Sequence, residues 1–596
     1  MDGFISVYYE LVIPLVISIL LWYQLEVGDG WDNLKQCFEM DSVYIVLNIL
    51  TIYAIILVLT CITTRYWISG LLLSFCIFII SIVNYYTIKF HGMPLTIYEI
   101  ANFKTGLSVI KSYDIKVDIF SILIVIIFFI QMVFILVVRN REKNRRLLTK
   151  KLVLRYMYTC IIASGIVYVG YTAPSPIKPQ ATVGWSWKEA YHQYGYLACS
   201  LELIHNSKEV VEMPKGYSAL KVNSIEIEKR EREGKIKPDI ILILNESFYD
   251  LNQIIDLRTD LPFMENIEKM DNTIRGYAVV PGVGGGTNSS EYELLTSNSL
   301  QLMKGITPFN VLNMKGANSI VTHLNTLQYY TIGAHSESGS NYARARAYPD
   351  MGFDRVFFDN DFKDKEYYAN RWYETDESLY KNLISWYDDS QTAAPQFIYL
   401  LTIQNHGGWD LNPEEEDIIH AENDLGEYKK QVNEFLSSIY LSDIAFYELT
   451  QYFTKIDRPV LICMVGDHSP AFAEKIVDGK YTGVEKNKRL RSTPFIIWAN
   501  WDIESKDMGY LSMNFLVPTL LETAGIPLSP YYQYQINLKS DIPVVTSFDK
   551  FFDNKGNCYS YDDDTCVYKE QVDNYFYLEY NNLEENKIQD FFEVYR

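Results

Sequence analysis

The sequence predicts two architectures in one chain: a five-helix transmembrane domain over residues 1–171 and an α/β domain with a mostly parallel central sheet over residues 238–540. Three observations carry this. Five apolar stretches of about 20 residues, the length that spans a bilayer, follow one another in the first 171 positions. After Pro238, short Ile/Leu/Val-rich runs alternate with helical patterns, as in a parallel sheet with crossover helices. Between them lies a glycine turn feeding a helix, VPGVGGGTNSSEYELLT at 280–296, which sets Thr287 at a helix N-terminus where anions are favoured.

The apolar stretches are Ile5–Tyr23, Tyr44–Thr64, Trp67–Tyr86, Ile119–Val138 and Leu152–Tyr171, with Tyr and Trp at several ends as interface anchors. Five in succession exclude a single cleaved signal peptide. Basic residues crowd 139–151, whereas the loop over residues 26–41 is mostly acidic. The positive-inside rule therefore predicts a cytoplasmic N-terminus and an extracellular chain after Tyr171, placing the protein in the plasma membrane with its catalytic part outside. The loop His91–Lys116, containing GMPLTIYEIANF, reads either as a connecting loop with a surface helix or as an interfacial helix beside a lipid path.

Residues 172–237 read as a juxtamembrane helical linker. Pro174, Pro176 and Pro179 make an extended exit, and Trp185, Trp187, Tyr191, Tyr194, Tyr196 and Leu197 form a helical aromatic patch expected on the headgroup layer. Glu226–Lys237 reads as a solvated charged run. Of eight cysteines, only Cys558 and Cys566 flank a polar turn beyond the membrane part, and a disulfide there is as expected as two free thiols. No C-x-x-C pair or Cys/His zinc module is present. The net charge of −21 does not discriminate by itself, since an acidic surface facing anionic lipid must focus positive charge locally; no nucleic-acid partner is expected.

In the outer domain, Ile240–Leu244, Ser319–Leu324, Gln396–Thr402, Pro459–Val465 and Pro494–Trp498 are the expected strands, with helices at Glu427–Phe453 and Met513–Ala524. Such sheets bind ligands beyond the carboxyl ends of their strands. Glu246 follows one strand and Asp467-His468 another. Two carboxylates, an imidazole and the Thr287 hydroxyl make a mixed O/N set suited to Mn²⁺, Mg²⁺ or Zn²⁺, which would lower the pKa of the threonine and make it a nucleophile. Each residue also has an ordinary reading. Thr287 is a common helix cap, Glu246 and Asp467 are ordinary strand-end acids, and a lone His468 is more often structural. Their convergence at strand ends and a loop–helix junction of one domain favours the site. His335, Tyr342, Arg344, Arg346 and Tyr348 lie in one further block, where an arginine suits a phosphate and Tyr342 a glycerol or sugar; the alternative is a surface loop offsetting the acidic charge. His406, in LLTIQNHGGW, follows another apolar strand and is placed to donate a proton to a leaving oxygen.

The five segments, Glu246-Ser247-Phe248, GGGT at 284–287 with Glu291, His335 to Tyr342-x-Arg344, Tyr348, Gly352-Phe353-Asp354, Asn405-His406 and Gly466-Asp467-His468 together resemble lipoteichoic acid synthases. More broadly they resemble membrane phosphoglycerol transferases of the sulfatase/alkaline-phosphatase superfamily, across nearly the whole chain. The resemblance implies a sulfatase-like fold, with Glu246, Thr287, Asp467 and His468 holding one divalent cation, Mn²⁺ first and Mg²⁺ or Zn²⁺ as alternatives. It implies that Thr287 attacks phosphatidylglycerol, expels diacylglycerol and becomes glycerophosphoryl-threonine, which passes glycerol phosphate to an envelope glycopolymer or glycolipid. His335, Tyr342, Arg344 and His406 would bind the glycerol-phosphate group, and His406 would also move a proton. Tyr342 stands where lipoteichoic acid synthases commonly carry Trp. Alternatives in the same superfamily are a phosphoethanolamine transferase and a phospholipid phosphodiesterase. A sulfatase would need Cys or Ser in C/S-x-P-x-R, which this sequence lacks. Residues 541–596 read as a C-terminal subdomain, a hairpin and a final helix, packing on the catalytic domain.

Overall fold

The computed structural model describes residues 12–27, 40–63, 65–91, 95, 117–142, 150–171, 187–206, 211–227, 237–303, 306–390, 392–584 and 587–594. The predicted interfacial helix in 92–116 (Leu95 apart), the basic run 143–149, the exit 172–186 and the charged stretch 228–236 lie outside the described residues. The chain divides into two compact units: Met1–Val210 with Asn310–Leu312 and Ser340–Ala343, and Val211–Phe309, Asn313–Gly339 and Arg344–Arg596.

The first unit holds α1 (Ile13–Glu26), α2 (Ser42–Thr63), α3 (Tyr66–His91), α4 (Ile119–Glu142) and α5 (Lys150–Tyr171) at the five predicted segments. Among the described residues, α2, Tyr66–Ile88 of α3 and Ile119–Arg139 of α4 are long and apolar enough to cross a membrane, and α1 is a shorter apolar helix. Ile119, Ile122, Ile126, Phe129, Ile130, Val133 and Val137 recur at helical spacing on α4 and stand exposed, as a lipid-facing stripe does. Its opposite side carries Gln131, which donates to the Leu20 carbonyl at 2.7 Å and accepts from Ser74 Oγ at 3.1 Å. Such interhelical bonds hold helices together where lipid leaves little hydrophobic drive.

The aromatic patch forms α6 (Trp187–Tyr194) and α7 (Tyr196–Asn206), but Tyr191 and Tyr196 are buried in the unit rather than spread on a surface. The reason is Gly195, whose φ of +85° breaks the helix and leaves backbone groups to be satisfied. Asn48 of α2 supplies both partners, donating to Tyr194 O at 2.7 Å and accepting from Ala198 N at 2.9 Å. Glu26, at the end of α1, accepts from Tyr196 N at 3.1 Å, a carboxylate at a helix N-terminus.

The second unit is built on eight strands: β1 (Asp239–Asn245), β2 (Thr273–Val279), β3 (Tyr330–His335), β4 (Arg355–Phe358), β5 (Gln396–Leu401), β6 (Val460–Gly466), β7 (Ser492–Ala499) and β8 (Lys506–Ser512). Their order is β4-β3-β5-β1-β6-β7-β2-β8, parallel except where β7 runs against β6 and β2. The segment read as a strand at Ser319–Leu324 is instead a helix over Ile320–Thr326. Ser319 and Thr322 close a capping box, and Ile320, Val321 and Leu324 fall on one buried helical face. The strand comes after it, as β3.

Further on lie α8 (Thr287–Thr296), α9 (Arg344–Met351), α10 (Asp376–Asp389), α11 (Lys429–Phe453), α12 (Leu516–Thr523), α13 (Pro530–Asp541) and α14 (Lys569–Leu583). Leu379 and Leu383 of α10 and Phe435, Ile439 and Phe446 of α11 form one core with Ile241, Ile243, Ile398, Leu400, Ile462 and Met464 of the central strands. Burying such side chains contributes roughly 1.5–3 kcal/mol each and holds the strand ends rigid. Residues past α13 make a small antiparallel sheet from β9 (Val544–Val545), β10 (Lys550–Phe552) and β11 (Cys558–Ser560), then α14. Cys558 and Cys566 stand as free thiols, so the pairing weighed from sequence is not formed.

Candidate active site

β1 and β6 are parallel neighbours with Asn245 opposite Gly466, so the next residues along, Glu246 and Asp467, emerge side by side. A side chain at Gly466 is excluded, because a Cβ there would lie 2.0 Å from the Phe248 carbonyl oxygen. The glycine turn closes over this edge: Gly284 N donates to Ser469 O at 3.0 Å, and Gly284, Gly285 and Gly286 all take positive φ. Gly286, not Thr287, is the cap of α8, which frees the Thr287 hydroxyl from the capping role open to it in sequence.

Thr287 Oγ1 donates to Glu246 Oε2 at 3.3 Å and lies 3.4 Å from His468 Nε2. His468 Nε2 is 3.3 Å from Asp467 Oδ2 and 3.5 Å from Glu246 Oε1. All four residues are buried. His468 Nδ1 sits 3.0 Å from the Ser469 carbonyl, which can only accept, so Nδ1 carries a proton and Nε2 faces the two carboxylates. Asp467 Oδ2 is buried with no hydrogen-bond partner. Potential ligand atoms of Glu246, Asp467 and His468 therefore converge within 4.8 Å of one another. That is costly for bare side chains and fits a divalent cation. Without one, burial and the Glu246 charge push Asp467 well above the carboxylate range. Burial opposes charge on His468, but Asp467 and Glu246 outweigh it and raise its pKa.

His335 ends β3 and donates from Nδ1 to Leu401 O at 3.2 Å. Burial, reinforced by the Arg344 charge and by His406, lowers its pKa well below the usual value and leaves it neutral. Arg344 is buried, its Nε donating to Glu291 Oε2 at 2.9 Å. Arg346 instead reaches the Phe309 carbonyl. His406 is exposed beyond β5, and its ring lies 4.8 Å from that of Tyr373, whose pKa burial raises. Tyr342, with φ of +55°, falls in the Ser340–Ala343 stretch of the first unit.

Three supports carried no signal of their own in the sequence. Ser247 takes φ of +48° while buried; its N–H donates to Asp467 Oδ1 at 2.7 Å and its hydroxyl to Glu246 Oε1 at 3.0 Å. Asp376, raised to about 6 by burial, accepts from Asn245 Nδ2 at 2.6 Å and Ser442 Oγ at 2.7 Å, while Asn405 Nδ2 donates to Asn245 Oδ1 at 3.0 Å. The loops after β1 and β5 are thereby tied to α10 and α11. Arg371 forms a fully buried ion pair with Glu434 at 2.6 Å and donates to the His406 carbonyl.

The family model described as Sulfatase matches residues 238–526. Residues 238–526 thus form a sulfatase/alkaline-phosphatase-like domain with a mostly parallel central sheet. Among solved structures, the Streptococcus pyogenes phosphoglycerol transferase GacH in complex with sn-glycerol-1-phosphate aligns at a TM-score of 0.52 and 20% identity, over 65% of this chain and all of that one. A putative cyclic β-1,2-glucan modification protein of Rhizobium meliloti is 26% identical over 362 residues, 58% of this chain and 55% of the relative. An uncharacterized Haemophilus influenzae protein is 22% identical over 305 residues, 49% and 54% respectively. The chain thus spans about half the length of the curated relatives it matches.

Proposed function

We propose that the protein is a membrane-bound phosphoglycerol transferase that moves glycerol phosphate from phosphatidylglycerol to an envelope glycan through a glycerophosphoryl-threonine. The observation that carries this is the Thr287 hydroxyl, 3.3 Å from the Glu246 carboxylate and 3.4 Å from His468 Nε2 at the head of a helix. The names of the streptococcal transferase and of the glucan-modifying relative support the transferred group, glycerol phosphate, and the acceptor class.

Glu246, Asp467, His468 and Thr287 would hold the cation, Mn²⁺ first, which when bound neutralises charge on the phosphodiester and favours ionised Thr287. Thr287 gives its proton to Glu246 Oε2 as it attacks, and regains it from there when it later leaves. A bond forms from Thr287 Oγ1 to phosphorus as the bond to the diacylglycerol oxygen breaks, and that oxygen takes a proton from His406. In the second half a glycan hydroxyl gives its proton to His406 and attacks the same phosphorus, and Thr287 leaves with a proton regained. Neutral His335 offers a lone pair to glycerol hydroxyls, and the Arg344 charge faces the phosphate. With a cytoplasmic N-terminus the reaction runs at the outer membrane face.

The test follows diacylglycerol released from phosphatidylglycerol with a fluorescent acyl chain, using purified full-length protein, Mn²⁺ and cyclic β-1,2-glucan as acceptor. Thr287→Ala is expected to cut release by about 10³-fold or more with folding intact. Release that survives in the variant overturns the covalent route, and release only from phosphatidylethanolamine reassigns the donor.

A further inference from the structure

We infer that Glu291 is a positioning residue that fixes the Arg344 guanidinium relative to the Thr287 nucleophile, so that attack and phosphate binding are set by one rigid lock between two helices. The inference rests on the reading of Arg344 as a phosphate-binding group.

Thr287 and Glu291 are four residues apart on α8, and Arg344 and Tyr348 are four apart on α9. Side chains at that spacing share one helix face. Glu291 spends both carboxylate oxygens on α9: Oε2 accepts from Arg344 Nε at 2.9 Å, and Oε1 accepts from the Tyr348 hydroxyl. Side-chain exposure of the ion pair is 2% at Arg344 and 0% at Glu291, so water does not screen it. The bond through Nε, on a carboxylate whose second oxygen is held by Tyr348, fixes the Nε end of the guanidinium in position.

Tyr348 is itself wedged between Phe353 (5.4 Å), Phe358 (5.7 Å) and Tyr399 (5.9 Å). The far side of the lock therefore does not drift. The Arg344 charge also reaches His335, whose neutrality depends partly on it. Glu291 touches none of the reacting atoms and acts through Arg344. Its place one turn along from Thr287 means that a shift of the nucleophile helix carries the phosphate-binding charge with it. A misplacement of about 1 Å in such a constellation costs on the order of 10²-fold in rate.

A double-mutant cycle on the full-length protein tests this with the fluorescent phosphatidylglycerol assay. Glu291→Gln is expected to lower kcat/KM by about 10- to 100-fold, with KM raised and Mn²⁺ affinity by calorimetry unchanged. In an Arg344→Ala background the same change is expected to have no further effect, because Glu291 then has nothing to position. Multiplying effects in the double variant, or wild-type turnover in Glu291→Gln, overturns the inference. Normal turnover in Arg344→Ala overturns the reading of Arg344 itself, and the inference with it. Because breaking a buried ion pair can prevent folding, Tyr348→Phe is measured alongside. It keeps the pair, loses only the second grip, and is expected to raise KM severalfold in the Arg344 background and not in the Arg344→Ala one; equal effects in both overturn the proposal.

Discussion

Ser247 illustrates how a single small residue sets the chemistry around it. Its left-handed backbone aims the N–H at Asp467 while the hydroxyl reaches Glu246, so both carboxylates are held by one position. That conformation is unfavourable for a residue with a Cβ and persists because the surroundings determine it. Supports of this kind commonly govern metal affinity by 10- to 100-fold. Ser247→Ala and Ser247→Gly both lose the hydroxyl and are expected to weaken Mn²⁺ binding by about that factor, measured by calorimetry. They differ in stability, because glycine relieves the positive φ and alanine does not; Ser247→Gly is expected to be about 1 kcal/mol the more stable of the two. Mn²⁺ affinity equal to wild type in both would show that Glu246 is oriented without Ser247. None of this was legible in the sequence, where Ser247 is one polar residue inside a motif and its φ is invisible.

At the scale of the element, α8 carries Thr287 at its head and a buried acid, Glu293, near its tail. Glu293 accepts from Leu300 N at 2.8 Å, and burial raises its pKa from 4.5 to about 8, a shift only partly offset by the Arg491 charge. The folded state therefore holds this proton more tightly than the unfolded chain. The associated stability is fully present below about pH 4.5 and is lost as pH rises through about 8, at up to ~1.4 kcal/mol per pH unit between them. Glu293→Gln keeps the acceptor oxygen and cannot ionise. It is expected to melt close to wild type at pH 5 and at a higher temperature than wild type at pH 8, read by thermal scans across that range. Parallel pH profiles for the two proteins would mean that Glu293 folds as the charged form. The helix was legible because its glycine turn and apolar spacing precede any tertiary contact. The buried acid was not, because nothing adjacent in sequence marks Glu293 as enclosed.

At the scale of the whole molecule, legibility follows how local the cause is. The central strands β1, β5, β6 and β7 are continuous apolar runs because both faces of each are covered, and they can be read directly. The edge strands β4 and β8 are only half covered and carry Arg355, Lys506 and Asp507, so no apolar run announces them. Ile320–Thr326 misleads in the other direction: its apolar residues suit a strand until the Ser319–Thr322 cap is weighed. The Glu246, Asp467 and His468 cluster and Thr287 were legible because each follows a strand or glycine turn, whereas the roles of Asp376 and Arg371 depend on partners 131 and 63 positions away.

The side of the membrane on which the second unit stands is predicted from the charge asymmetry of loops rather than from its fold, and an exposed thiol gives a direct reading of it. Cys558 is exposed on the small antiparallel sheet. In a Cys37→Ser background, needed because Cys37 lies in the loop predicted outside, a membrane-impermeant maleimide is expected to label Cys558 in intact cells, with the label lost when Cys558 and Cys566 are also replaced by Ser. Cys61, Cys76 and Cys160 lie on apolar helices and are retained in that variant, so they control for labelling within the bilayer. Labelling that appears only after permeabilisation would place the unit in the cytoplasm and remove its access to an outer-face glycan. Labelling of intact cells leaves the candidate site on the outer face, as the proposed transfer to an envelope glycan requires.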